Sequence, residues 1–466
     1  MFLSGSSGYF YIGFTVVGVV LSCLIMNRNI NPMYKLAWIV PVLVFPFLGC
    51  TLYMLFGRGK LSKKVYRRME VVHNAEKGVL DDYPDALSAL EKEDINAARQ
   101  ARYITSTSNT NVYVNTQTEY LSPGEVFFER LVEELKKAEH FIFLEYFIIR
   151  EGIMWNTVLN ILTEKVKQGV EVRLMYDDMG TINYLPKNYH KILNSLGIKL
   201  CLFNPVKPSL DAFLNYRDHR KITVVDGKCA FTGGINLADE YINQEERFGH
   251  WKDSSVVIYG DAVNRITKMF LSLWHFSTGD EPDYNAYITE YHMPNDGYVI
   301  PYGDDPLDKH LVSELAYINM INTASRSIYI TTPYLIIDNE MLTALTLAAR
   351  SGVDVRIMTP HIADKKIVFM VTRANYEALI EGGVKIYEYT PGFMHSKSIV
   401  ADDKFAIIGS TNFDYRSFYL HFENGVWMYK SKCVSQVKED CLDILSKSQE
   451  ITIEMCRNTS KVRQFI

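Results

Sequence analysis

Two runs near the start of the chain carry no charge: residues 8–26 (GYFYIGFTVVGVVLSCLIM) and 36–57 (LAWIVPVLVFPFLGCTLYMLFG). Each is long enough to cross a hydrocarbon core about 30 Å thick as a helix. No basic stretch precedes the first run, so it does not read as a secretory signal. Separated by nine residues, the two predict a transmembrane helical hairpin over residues 1–59. Trp38 and Tyr53 fall where interfacial aromatics would sit. Residues 60–104, rich in Glu, Lys and Ala, read as a helical or loosely ordered connector. Beyond residue 110, short runs rich in Val, Ile and Phe alternate with amphipathic stretches. That pattern predicts an α/β architecture.

The α/β part repeats itself. AEHFIFLEYFII (138–149) matches ASRSIYITTPYLII (324–337), GVEVRLMYDD (169–178) matches GVDVRIMTPH (352–361), and LGIKLCLFNP (196–205) matches GGVKIYEYTP (382–391). Three matches in the same order predict two tandem α/β domains, 105–285 and 286–466, packed as a pseudo-dimer.

Charge refines the picture in two places. RGKLSKKVYRR (58–68) places six Lys or Arg directly after the second run, whereas only Arg28 and Lys35 lie between the runs. By the positive-inside rule the C-terminal bulk is cytoplasmic, and with two spans the N-terminus is too. A net charge of −5 over 466 residues, 22% of them charged, argues against a protein that wraps nucleic acid by bulk electrostatics. Seven cysteines without a CxxC pair form neither a disulfide framework nor a zinc site.

The candidate chemistry lies in the repeat. HRKITVVDGKCAFTGGIN (219–236) and HSKSIVADDKFAIIGSTN (395–412) share their internal spacing. From each histidine, Lys221 and Lys397 are two residues on, Asp226 and Asp402 seven, Gly234 and Ser410 fifteen, and Asn236 and Asn412 seventeen. In a strand, residues i and i+2 face one side, so each His and Lys point together. The aspartates break that parity beside turn signals and read as supports. Packed face to face, the two copies would gather two His, two Lys and two Asn into a cationic, donor-rich pocket suited to a phosphate. A lysine on the same face opposes a metal ion, so no metal is expected. Histidine near its usual pKa of about 6.5 can serve as nucleophile or as acid. Each would need an orienting acceptor, and Asp253 and Glu423, each three residues before a valine (Val256, Val426), are the candidates.

The stretches NYRDHRKITVVDGKCAFTGGINLADEY (215–241) and MHSKSIVADDKFAIIGSTNFDYRSF (394–418), with the two N-terminal runs, resemble the phospholipase D superfamily and, within it, the bacterial cardiolipin synthases. The resemblance covers nearly the whole chain. It implies tandem phospholipase D-like domains and a transphosphatidylation without cofactor, in which one phosphatidylglycerol passes its phosphatidyl group to a second and glycerol leaves. It marks His219, Lys221, Asp226, His395, Lys397 and Asp402 as the catalytic motifs, with His219 as nucleophile and His395 as acid, an order that the symmetry of the repeat leaves open. Lys221, Lys397, Asn236 and Asn412 would hold the phosphate, with Ser410 in support. It also implies a multi-pass protein of the cell membrane whose partners are phospholipids. Apolar side chains in PVKPSLDAFLN (205–215) would face the bilayer. The same constellation serves phospholipid hydrolases, phosphatidylserine synthases and nucleases. A nuclease needs a basic approach surface, and no basic tract interleaved with aromatics appears outside KKVYRR. A silent scaffold would carry a damaged motif, and both motifs are whole.

Overall fold

The computed structural model describes residues 5–28, 32–57, 63–79, 84–206, 212–307 and 310–458. Its chain divides into two compact units, residues 1–67 with 207–215 and residues 68–206 with 216–466.

In the first unit, α1 (Gly5–Met26) holds a stretch, Tyr9–Met26, that is long and apolar enough to cross a membrane. The second apolar run departs from the expected single span. It forms α2 (Pro32–Val44), breaks at Phe45, and continues as α3 (Pro46–Leu52) and a π-helical turn, Tyr53–Gly57. Proline explains the break: Pro46 has no N–H to donate, and it disfavours the helical conformation for the residue before it. Phe45 accordingly sits at φ −126°, ψ 70°. Of PVKPSLDAFLN, residues 207–211 lie outside the described residues.

The second unit holds two sheets of one design. The first half supplies β1 (Thr116–Leu121), β2 (Phe141–Tyr146), β3 (Glu171–Asp177), β4 (Lys199–Phe203), β5 (Arg217–Asp218), β6 (Ile222–Val225), β7 (Cys229–Gly233), β8 (His250–Lys252) and β9 (Ser255–Gly260). The second supplies β10 (Tyr298–Asp304), β11 (Ser327–Thr331), β12 (Leu335–Ile336), β13 (Asp354–Pro360), β14 (Lys385–Tyr389), β15 (Gly392–Met394), β16 (Ser398–Ala401), β17 (Phe405–Gly409), β18 (Phe413–Asp414), β19 (His421–Tyr429) and β20 (Ser448–Ile451). Among the described residues the sheets run β1-β9-β7-β6-β2-β3-β4 and β10-β19-β17-β16-β11-β13-β14-β20. The second order repeats the first strand for strand and adds β20 at its edge. This is the repeat read from the sequence, and its motif strands β6 and β16 lie in the middle of their sheets.

Residues 84–104, within the stretch expected as a connector, pack into a core together with the four residues that follow them. Leu90, Ala97, Ala101 and Ile104 are buried in one core with Tyr302, Ile330, Ile357 and Trp427 of the second half. The indole N–H of Trp427 donates to Gln100 Oε1 at 2.9 Å. The helical spacing of those small and branched residues makes the segment a layer of the second domain.

Candidate active site

Two very short strand pairs exchange between the halves and place the motif histidines. β5 runs parallel to the start of β19, and the His219 N–H donates to the Phe422 carbonyl at 3.0 Å. Its counterpart, β15, runs parallel to β8, and the His395 N–H donates to the Lys252 carbonyl at 2.7 Å. Each histidine therefore sits beside the carboxylate that follows in the other half's strand. His219 Nδ1 lies 2.9 and 3.1 Å from the two oxygens of Glu423, and His395 Nδ1 lies 2.6 Å from Asp253 Oδ2. Both carboxylates are fully buried. An ionised carboxylate only accepts, so each Nδ1 carries the proton and Nε2 is left with its lone pair.

The lysines share this face. Lys221 Nζ donates to the carbonyl of His219 and Lys397 Nζ to that of His395. Both are buried, and burial, opposed by Glu423, pulls Lys221 down to about 7. Burial, opposed by Asp253, brings Lys397 to about 8. Burial likewise lowers His219 to about 3 and His395 to about 4, against the pull of Glu423 and Asp253. Glu423, which burial alone would raise, is held well below the usual carboxylate range by His219. Burial thus favours the neutral form of both imidazoles, each of which is oriented by a carboxylate. An arriving phosphate anion would restore full charge to the lysines.

The supporting residues divide. Ser410 Oγ accepts from the Asn424 N–H at 3.0 Å and braces the residue next to Glu423, while Asn424 Nδ2 donates across the halves to Thr232 Oγ1 at 2.7 Å. Gly234, at the matching position, leaves room for Asp253: a Cβ there would fall 2.1 Å from Asp253 Oδ1. Asn236 is occupied within its own half, accepting from the Ile148 N–H at 2.9 Å and donating to Tyr241 Oη at 2.7 Å. Only its second amide hydrogen remains for a phosphate, because the loop after β7 needs the amide to hold it. Asn412 differs: its buried Oδ1 has no hydrogen-bond partner among the described residues.

Asp226 and Asp402, grouped with the catalytic motifs by resemblance, bond away from the reacting atoms. Asp226 accepts from the N–H groups of Glu139, His140 and Phe141, each at 2.8 Å. Asp402 accepts from those of Ser325, Arg326 and Ser327 at 2.8, 2.7 and 3.1 Å. Both have positive φ, 53° and 54°, in the turn after the motif strand. Each staples that hairpin to the start of a neighbouring strand, as the parity of the motif implied. Asp226→Ala and Asp402→Ala are each expected to cost about 3 kcal/mol, since a hydrogen bond to a charged acceptor contributes about 1.5–3 kcal/mol. Thermal unfolding should register the loss while turnover per folded molecule is retained. The backbone N–H groups hold the Asp402 carboxyl below its ordinary value. Its contribution is therefore fully present above the ordinary carboxylate range and disappears as pH falls through the depressed folded value.

One residue of the site is absent from the motif reading. His421 Nδ1 lies 3.5 Å from Glu423 Oε1, and its ring centroid is 5.3 Å from that of His219. Neither of its ring nitrogens has a hydrogen-bond partner among the described residues. The equivalent position in the first half is Trp251, packed 5.2 Å from His395. His219, His421 and Glu423 offer ligand atoms within 4.8 Å of one another. Glu423 already accepts the His219 proton there, and the two lysines oppose a further cation.

Comparison with known proteins gives a consistent picture. The family described as "Cardiolipin synthase, PLD-like domain" matches residues 131–274 and 317–444, and the "Phospholipase_D-nuclease N-terminal" family matches residues 15–58. An uncharacterised protein of Streptococcus mutans is 42% identical over 94% of this chain and 95% of its own length. A cardiolipin synthase of Halalkalibacterium halodurans is 34% identical, covering 97% of this chain and 90% of its own. Among solved structures, a phosphatidylserine synthase of Haemophilus influenzae superposes with a TM-score of 0.58 at 13% identity, over 76% of this chain and 92% of its own, a likeness of fold.

Proposed function

The chain belongs to the cardiolipin synthases of the phospholipase D superfamily, and from that premise we propose that it joins two phosphatidylglycerol molecules through a phosphatidyl-histidine intermediate. It is a phosphatidyltransferase and associates with membranes. Neutral His219 Nε2 attacks phosphorus, and the bond from phosphorus to the glycerol oxygen breaks. His395, which takes up a proton as the phosphate anion arrives, passes it to the departing glycerol. A hydroxyl of the second phosphatidylglycerol then gives its proton to His395 Nε2 and attacks the same phosphorus, releasing His219. Two phosphatidylglycerols become one cardiolipin and one glycerol, with no oxidant, reductant or metal required.

The exchanged pairs carry this reading: His219 with Glu423 and His395 with Asp253. Two features support the order of the histidines. His219 is held by both oxygens of its carboxylate, which fixes the ring for attack. The shorter contact of His395 to Asp253 suits an imidazole that must become an imidazolium. Lys221 and Lys397 neutralise the phosphate oxygens, and Asn412 contributes its amide. The basic run at 58–68 supports a cytoplasmic position for the catalytic domains.

The test uses the purified full chain in detergent with phosphatidylglycerol and a chelator. Cardiolipin and glycerol are expected in equal amounts. Loss of product with the chelator, release of phosphatidic acid by water alone, or turnover only with a cytidine-activated lipid and serine would contradict the reading.

A further inference from the structure

The break at Phe45 is a reversal of direction. Gly49 and Pro41 are eight residues apart and would be separated by about 12 Å along a straight helix. Here a Cβ on Gly49 would lie 2.2 Å from the Pro41 carbonyl oxygen. The rings of Trp38 and Tyr53, fifteen residues apart, meet edge-on at 5.4 Å. α2 therefore rises to the turn and α3 descends beside it.

α1 gives the depth scale. Phe47, just past the turn, packs against Phe14 at 5.0 Å. Midway along, a Cβ on Gly18 would meet the Val42 carbonyl at 3.1 Å and Cys50 Sγ at 3.8 Å. At the end of α1, the Arg28 guanidinium lies over the Tyr53 ring, 5.6 Å from its centroid. The chain thus returns to the level it left at residues 26–28. Thirteen residues of α2 reach only about 20 Å, short of a core about 30 Å thick.

The turn is also chemically wrong for water. Residues 38–50, WIVPVLVFPFLGC, contain no charged, amide or hydroxyl side chain, and Phe45, Phe47 and Leu48 are exposed. The backbone there stays paired: the Phe45 N–H donates to Pro41 O at 3.0 Å and the Gly49 N–H to Phe45 O at 2.6 Å. Irregular backbone at membrane depth requires such pairing.

From this geometry we infer that residues 32–57 form a re-entrant hairpin, which enters the bilayer and leaves by the same face, with α1 as the one span among the described residues. Residues 27–35 and everything after residue 57 then share one face, and the residues before Tyr9 lie on the other. The charges agree: Arg28, Lys35 and all six basic residues of 58–68 gather on the face of the catalytic domains, while residues 1–27 carry no charge. The two-span reading would have left Arg28 and Lys35 on the opposite face.

Single cysteines introduced into a full chain whose seven native cysteines are replaced by alanine separate the arrangements in cells, using a membrane-impermeant maleimide before and after permeabilisation. Ser6→Cys should label in intact cells. Asn27→Cys and Lys63→Cys should label only after permeabilisation, and Phe45→Cys in neither condition. Two full spans predict that Asn27→Cys labels in intact cells and Ser6→Cys only after permeabilisation, which would overturn the hairpin. An epitope at the N-terminus of the otherwise unaltered chain gives a second reading, expected to be lost to protease in intact spheroplasts and to survive there if two spans exist. Neither readout depends on catalytic activity, so failure here is distinguishable from failure of the proposed reaction.

Discussion

Replacing His219 or His395 by alanine is expected to lower cardiolipin formation by about 10³-fold or more, but the two variants should part company with an activated lipid. General acid catalysis contributes about 10²–10⁴-fold, and a phosphatidyl ester of p-nitrophenol needs none of it to expel its leaving group. His395→Ala should release p-nitrophenol from that ester in a burst equal to the enzyme concentration and then stall, because no base activates the acceptor alcohol. His219→Ala should show neither burst nor turnover. The reverse assignment would make His219→Ala the variant that bursts, and rates would register this directly.

A second large effect should cross the repeat. Glu423→Gln removes the anion that fixes the Nδ1 proton of His219, although the two lie 204 residues apart. A carboxylate-to-amide change beside an active-site imidazole costs about 10⁴-fold where it disturbs the tautomer. Glu423→Gln should therefore behave as a loss of His219, with no burst from the activated ester. Asp253→Asn should behave as a loss of His395, with the burst retained. If each carboxylate instead served the histidine of its own half, the pattern would be exchanged. Comparing burst amplitudes of the two variants decides between these arrangements.

Much of this was legible in the chain. Identical spacing from His219 and His395 to their lysines and asparagines marked the candidate site, and equal offsets to Val256 and Val426 singled out Asp253 and Glu423 as candidate acceptors. Parity read Asp226 and Asp402 as supports, and their bonds to three successive backbone N–H groups show why a turn acid stands there. The exchange of carboxylates was not legible. It depends on parallel pairs only two and three residues long, β5 with β19 and β15 with β8, which leave no periodicity in the sequence. His421 escaped because the repeat offers a tryptophan in its place, so symmetry concealed it. Residues 84–104 read as part of a connector because alanine dominates their buried face, and alanine signals a core only when a partner surface is known. The second apolar run reads as one span by its lack of charge, and its reversal depends on the break at Pro46 and on Gly49 closing against Pro41, a contact within one short segment.

The central claim is that His219, oriented by Glu423 from the opposite half, carries the phosphatidyl group between donor and acceptor. Acid-free quenching of the enzyme during turnover of phosphatidylglycerol, followed by peptide mass mapping, tests it most directly. The phosphatidyl adduct is expected on the peptide that contains His219 and absent from the one that contains His395. An adduct on His395, or turnover with no histidine adduct at any quench time, would contradict it.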